Sequence, residues 1–305
     1  MAVFQLGPII RNRRVELGLS QEDLADGICS VPTLSRIENG ERMPTKNHFE
    51  MLMQRLGYSA MSLDCLTDKR DFRIHELKFR IRQCYIEGKT LEAKSYLSEF
   101  ETMHDRSTPV DTQFMILYRV LLYEEEYTQT EKLEKLESAL RLSCPKYDND
   151  YMPHVLSYEE IILLNNIAIC YDVLGMRKKT ISILITLKEY YDRNVVNSEE
   201  SLRTQPMVLY NLSKFLGLNG QYDECIEICD LGIRIARTTG RCTALGKTLY
   251  NRAWALLQRN QVGDRCAAKF SLRQACDFSY IMGDNQEADY YTQLWEEQFG
   301  SENLL

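Results

Sequence analysis

No stretch of this 305-residue chain approaches the roughly 18 uncharged apolar residues that span a bilayer, so no membrane helix is expected. The opening MAVFQLGPIIRNRR puts its arginines after a short, broken apolar run and does not read as an export signal, so the expected compartment is the cytoplasm. Metal-binding patterns are missing too. The four histidines (His48, His75, His104, His154) stand far apart without an HExxH, and the ten cysteines include no CxxC pair, so neither zinc spacing nor a disulfide framework is legible. No P-loop, nucleophile–base pair or paired carboxylates occurs, so neither cofactor nor catalysis is expected. Hairpin signals fail as well, because Asn219-Gly220 is flanked by helical spacing on both sides. Proline is sparse beyond Pro44, and apolar residues recur three and four apart almost to the end, the pattern of an all-α protein.

What is present divides in two. The net charge of −7 argues at first against nucleic acid, but residues 1–70 hold nine basic and nine acidic residues, so the deficit lies entirely in the rest of the chain. A neutral segment can still present a basic face, and Arg11, Arg13 and Arg14 cluster. The first 56 residues break into short helical pieces. Leu6, Ile9, Ile10 and Leu17 mark one ending near Gly18, and Ser20 caps a second, with Asp23 closing a weak capping box. Ser30 caps a third with Pro32 in its first turn, and Asn39-Gly40 supplies a left-handed stop. A fourth runs from about Thr45 to Leu56 with Phe49, Leu52, Met53 and Leu56 inward, and residues 57–71 read as a short helix and a linker.

Taken alone, SVPTLSRIENGERMPT is an ordinary capped surface helix and a turn. In its wider setting, LGLSQEDLADGICSVPTLSRIENGERMP (17–44), it resembles the helix-turn-helix of the lambda-repressor-like (XRE) family, with SQEDLA opening the second helix and LSRIENG closing the recognition helix. The physical reading agrees. If Leu34 and Ile37 are buried, Thr33 and Arg36 share the opposite face, where an arginine can fork onto guanine O6 and N7. Gln21 and the Asn39 to Arg42 turn are placed for phosphate and sugar contacts. Arg13, Ser30, Pro32 and Ser35 complete the candidate DNA-contacting set. Glu38 is expected to be structural, since an acid aimed at the duplex would repel phosphate.

From about residue 72 the helices lengthen and pair. LNNIAICYDVLG (164–175), LYNLSKFLGLNG (209–220) and LYNRAWALLQRN (249–260) align, their asparagines 45 and 40 residues apart. In each a small residue (Ala168, Ser213, Ala253) follows the asparagine by two and a turn residue (Gly175, Gly220, Asn260) by nine. Two weaker units precede them, turning at Gly88 and near Glu126. Small residues on a first helix let the second approach closely. The pattern resembles tetratricopeptide (TPR) repeats, stacked helix pairs whose first helices line a concave wall, although the spacing exceeds the usual ~34 residues. The expected division is a helix-turn-helix domain with its linker helix over 1–66, then a right-handed TPR-like solenoid over 67–305. The solenoid comprises about five helix pairs and a final helix from Asp284 to Phe299.

Asn166, Asn211 and Asn251 recur at one place on three first helices, each preceded by Asn165, Tyr210 or Tyr250. A carboxamide both donates and accepts, so a ladder of them can hold the backbone of an extended peptide. One turn on lie Ile169, Lys214 and Trp254, which with Met207 and Lys247 would shape side-chain pockets and favour an acidic group or a terminal carboxylate. The competing reading is that these asparagines cap turns or bond neighbouring helices within the stack. Glu124-Glu125-Glu126 reads as a solvated charge run, and Cys225 and Cys229 as packing in a second helix.

A helix-turn-helix followed by degenerate TPR units in about 300 residues resembles the peptide-sensing regulators of the RRNPP group, most closely its PlcR-like members. LADGICSVPTLSRIENG and the in-register Asn211 and Asn251 carry the resemblance. It implies a bacterial transcriptional regulator that acts as a homodimer on a palindromic double-stranded operator. In such regulators a re-imported signalling peptide binds the concave TPR surface and controls DNA binding in quorum sensing. The alternative is a helix-turn-helix repressor whose TPR scaffold binds a protein partner, without a peptide signal.

Overall fold

The computed structural model describes residues 6–57, 69–103, 108–147, 156–193 and 199–300. Most of the expected linker, residues 58–68, lies outside them. Among the described residues there are fifteen α-helices and no strand, and no helix is long and apolar enough to cross a membrane.

Four short helices open the chain: α1 (Leu6–Glu16), α2 (Gln21–Ala25), α3 (Val31–Glu38) and α4 (Lys46–Arg55). Their ends are fixed by local chemistry. The Ser20 hydroxyl accepts the Asp23 N–H while the Asp23 carboxylate accepts the Ser20 N–H, a complete capping box. Ser30 accepts the Thr33 N–H, and Pro32 stands in the first turn of α3, where its missing donor costs nothing. Gly40, at φ 74°, turns the chain after Asn39. Ile10, Leu24, Leu34, Ile37, Leu52 and Leu56 are each at most 1% exposed and form one core. Val110, from a later helix, packs into that core as well.

The remaining described residues form longer helices. The first pair is α5 (Lys69–Ile86) and α6 (Thr90–Met103); the second, α7 (Pro109–Leu122) and α8 (Gln129–Arg141), turns through a 3-10 segment at Glu124–Glu126. Exposed Glu125 pairs with Lys94 and Glu124 with Lys132. There follow, in chain order, α9 (Tyr158–Val173), α10 (Arg177–Arg193), α11 (Glu199–Leu218), α12 (Tyr222–Thr239), α13 (Leu245–Arg259) and α14 (Asp264–Ile281). A last helix, α15 (Asn285–Phe299), packs on α14. Gly175, Gly220 and Asn260 all adopt the left-handed conformation expected of the turn residues. Ala168, Ser213 and Ala253 are buried where a small residue is needed.

Two compact units result. Unit 1 comprises Met1–Met176 with Asp192–Glu200, and unit 2 comprises Arg177–Tyr191 with Ser201–Leu305. The packing thus groups α1–α4 with the first repeats.

Charge is internal in unit 1. Lys78 of α5 pairs with Asp111 of α7, Arg82 of α5 with Glu159 of α9, and Arg55 of α4 with Glu160 of α9. Arg55 also donates to the carbonyls of Asp26 and Ser143, so one guanidinium ties α4 to the α2–α3 turn and to the segment after α8. Beside it, a Cβ added to Gly27 would stand 2.3 Å from the Ser143 carbonyl oxygen, closer than any side chain permits.

Candidate functional site

Two surfaces follow from this framework, one in each unit. On α3, Leu34 and Ile37 are buried and Arg36 is exposed, the arrangement expected of a reading helix. Thr33 is half-buried, its hydroxyl 2.9 Å from that of Ser30, which preorganises the first turn. Pro32, Asn39 and Arg42 are exposed and Ser35 is half-buried. The Glu41 and Arg42 N–H groups both donate to the Arg36 carbonyl, bending the turn back beside the helix end.

Two of the expected DNA-contacting residues also bond within the chain. Gln21 donates its amide to Glu38 at 2.8 Å. Arg13 donates to the Leu56 carbonyl and pairs with Glu16. Glu38 itself is inward, as its charge required, and accepts two N–H groups of Arg14 at 2.6 and 2.9 Å. Burial pushes its carboxyl up, but the Arg14 and Gln21 hydrogen bonds outweigh this and hold it below the usual carboxylate range.

In unit 2, first helices α11, α13 and α15 border a cavity of about 370 Å³. It brings together six of the residues singled out from sequence: Tyr210, Lys214, Lys247, Tyr250, Asn251 and Trp254. Asn211 is 7% exposed and Met207 half-buried, and neither lines it. Asn165, Asn166 and Ile169 lie on α9, in unit 1. There Asn165 is buried, Ile169 is half-buried, and Asn166 donates its amide to the Ile162 carbonyl of its own helix at 2.8 Å.

The polar groups of the cavity are unequally engaged. Asn251 donates to the Tyr210 carbonyl at 3.3 Å and the Ser213 hydroxyl at 3.0 Å, so its nitrogen ties α13 to α11 while its oxygen has no partner among the described residues. Lys247 is paired with Glu287 at 2.9 Å. Burial lowers its pKa, yet the hydrogen bond and charge of Glu287 raise it further, so the ammonium stays protonated. Lys214 lies 5.3 Å from the Phe215 ring and pairs with no carboxylate among the described residues, leaving one unbalanced positive charge in the wall. Tyr250 stacks on Tyr291 with ring centroids 5.1 Å apart. Gly217 leaves room for the indole, since a Cβ there would meet Trp254 Cζ3 at 2.8 Å.

Glu287, Tyr290 and Tyr291 were not expected in this wall, because α15 read as a terminal helix. The signal was there. Tyr290-Tyr291 follows Tyr250-Asn251 by 40 residues, the interval that separates Tyr250-Asn251 from Tyr210-Asn211, and Gly300 then follows Tyr291 by nine. The helix is the first half of a sixth unit in which tyrosine replaces asparagine.

Residues 10–62 match a helix-turn-helix family and residues 129–298 match the RNPP family C-terminal domain. No curated protein matches the chain in sequence. Among solved structures it is similar to PlcR of Bacillus thuringiensis in complex with the peptide PapR7 and DNA, at 20% identity and a TM-score of 0.60, over 95% of this chain and 98% of that one. It is also similar to the apo form of the competence regulator ComR from Streptococcus vestibularis, at 17% identity and a TM-score of 0.54, over 97% and 98%. The same ComR with its cognate signalling peptide XIP gives 16% and 0.52, over 96% and 98%. At these identities the likeness is one of fold, and it spans the helix-turn-helix and the repeats together. The RNPP match covers more than half of the sequence, and the chain belongs to the RNPP family.

Proposed function

We propose that this chain is a sequence-specific transcription regulator in which α3 reads DNA and the groove of unit 2 binds a short signalling peptide that controls that reading. The observation that carries it is the union, in one RNPP-family chain, of an exposed Arg36 on a capped helix-turn-helix with a groove that leaves polar groups unspent. PlcR was crystallised with both a peptide and DNA, and the same pairing of ligands suits the two surfaces here.

Each residue takes a role from its position. Arg36 and Thr33 reach base edges; Ser30, Pro32, Ser35, Asn39 and Arg42 flank the backbone; Gln21 and Arg13 orient the helices that carry them. Asn251 offers its oxygen to the peptide, Lys214 a charge, and Tyr210, Tyr250 and Trp254 apolar walls. The activity is binding rather than catalysis, carried out in the bacterial cytoplasm by a homodimer on a palindromic operator. The boundary near residue 66 divides DNA reading from peptide binding. Control requires that the peptide bind one arrangement of the dimer better than the other, since equal affinity would shift nothing.

The test is fluorescence anisotropy on fragments of the host genome, with and without peptides that co-purify with the chain and are identified by mass spectrometry. Selective binding that changes at least tenfold with one peptide is expected. Failure to select any fragment in either condition overturns the reading.

A further inference from the structure

Beyond the first cavity lies a second, of about 280 Å³, and the two share Tyr250, Trp254 and Tyr290 in their walls. Its remaining lining is Ala253, Leu257 and Leu272 with Leu294 of α15, and the amides of Gln258 and Gln298. None of these side chains is charged, whereas the first cavity carries Lys214, Lys247 and Glu287. We propose that α15 makes the groove a two-chamber site: the first chamber seats a carboxylate of the peptide at Lys214, and the second takes a bulky uncharged apolar side chain two residues away. The proposal rests on reading the groove as the peptide site and names the class of peptide it selects.

Three observations carry it. A charged side chain entering the second chamber would lose hydration against leucines and find no charged partner, whereas an aliphatic or aromatic group would gain by leaving water. The chamber is roomy enough for any single side chain, so glycine or alanine there would leave most of its wall without contacts. The partition is aromatic: the Tyr250 and Tyr290 rings lie 5.9 Å apart with their hydroxyls at 3.4 Å. Groups on either side of a ring are separated by about 7 Å, the spacing of residues i and i+2 on one face of an extended chain. The unpaired Lys214 fixes which chamber receives the carboxylate.

The experiment uses the full chain and a synthetic positional-scanning heptapeptide library, with bound peptides separated by size and sequenced by mass spectrometry. Wild type is expected to enrich leucine, isoleucine, methionine or phenylalanine about tenfold at two residues from an aspartate, glutamate or the C-terminus. Two variants at half-buried and exposed positions preserve the core, as circular dichroism checks. Leu257→Trp narrows the second chamber and is expected to shift the pool to small residues at that position. Gln258→Lys supplies a charge and is expected to admit acidic ones. A wild-type pool without the apolar preference, or a preference unchanged in both variants, overturns the two-chamber site while leaving peptide binding intact. A wild-type chain that retains no peptide overturns both readings.

Discussion

The junction between α4 and the first repeats, in unit 1, and the groove of unit 2 are built from the same helix pairs but treat polar groups in opposite ways. At the junction Arg55 and Glu160 are 2% and 1% exposed in their side chains, and both are engaged by several partners. Arg55 reaches two backbone carbonyls, Cys144 donates to Glu160 at 3.2 Å, and Gln113 donates to the Ser143 hydroxyl at 2.7 Å. In the groove, the Asn251 oxygen and the Lys214 ammonium are left unspent beside a cavity. A sealed polar network specifies one arrangement, because any slip strands a buried charge; an open one keeps its binding capacity for a guest. The comparison predicts where damage is severe.

The largest effect is expected at the sealed end. Arg55→Met leaves Glu160 buried without its cation, a loss of about 3–5 kcal/mol, while Arg55→Met with Glu160→Met removes both charges and recovers most of it. Hydrogen exchange at the amides of α4 and α9 reads this directly, with protection lost in the single variant and restored in the double. Gly27→Ala attacks the same junction through the backbone. Its φ of 72° and the 2.3 Å approach of a Cβ to the Ser143 carbonyl should together cost about 2 kcal/mol or more, read by the same exchange.

Acid should find the same region. Burial pushes the Glu160 carboxyl up, but the charge of Arg55 and the surrounding hydrogen bonds more than offset it, so Glu160, like Glu38, titrates below its unfolded value of roughly 4.3. A depressed carboxylate contributes stability that is fully present above the unfolded pKa and is lost as pH falls through the folded one. Unit 1 should therefore lose protection below about pH 4, and the loss should be shallower in the Arg55→Met, Glu160→Met chain, which keeps only Glu38 of the two.

How much of this was legible in the sequence follows the range of the interactions. The caps at Ser20 and Ser30, the turns at Gly175, Gly220 and Asn260 and the inward Glu38 depend on neighbours within a few residues or on one face of one helix, and all were readable. The Arg55–Glu160 pair joins positions 105 apart, and nothing local distinguishes Arg55 from a solvated arginine at a helix end. The same applies to the bonds of Gln21 to Glu38 and of Lys247 to Glu287, residues 17 and 40 away in sequence. The repeats disclosed three asparagines in register, but which of their atoms remain available depends on bonds such as those of Asn251 to α11 and of Asn166 within α9. Tyr290 and Tyr291 were hidden for a different reason: the repeat was defined by its asparagine, and the sixth unit has Tyr291 at that position.

The exposed face of α3 separates stability from function. Arg36→Ala removes an exposed side chain that caps nothing, so stability should change by no more than about 0.5 kcal/mol. The same variant should weaken binding to the preferred DNA fragment by about 1–3 kcal/mol and relax its selectivity, measured by competition with unrelated duplex. Loss of folding in this variant would mean that α3 is not the free surface described here.

A modest effect on stability is expected where the groove borrows from the stack. Asn251→Ala deletes two hydrogen bonds to α11, one to a backbone carbonyl and one to the Ser213 hydroxyl, which in turn donates to the Tyr210 carbonyl at 2.8 Å. Those acceptors keep a partner in Ser213 or the helix, so the net cost should be about 1 kcal/mol, visible as slightly faster exchange at the facing amides of α11 and α13. Asn251→Asp separates the two roles of the residue. It keeps an acceptor at the cavity and can still receive the Ser213 hydroxyl, but it cannot donate to the Tyr210 carbonyl and sets a negative charge beside the position assigned to a carboxylate. If the asparagine serves only the stack, alanine and aspartate should bind the peptide pool alike; if its oxygen serves the guest, aspartate should discard acidic peptides that alanine merely binds less tightly.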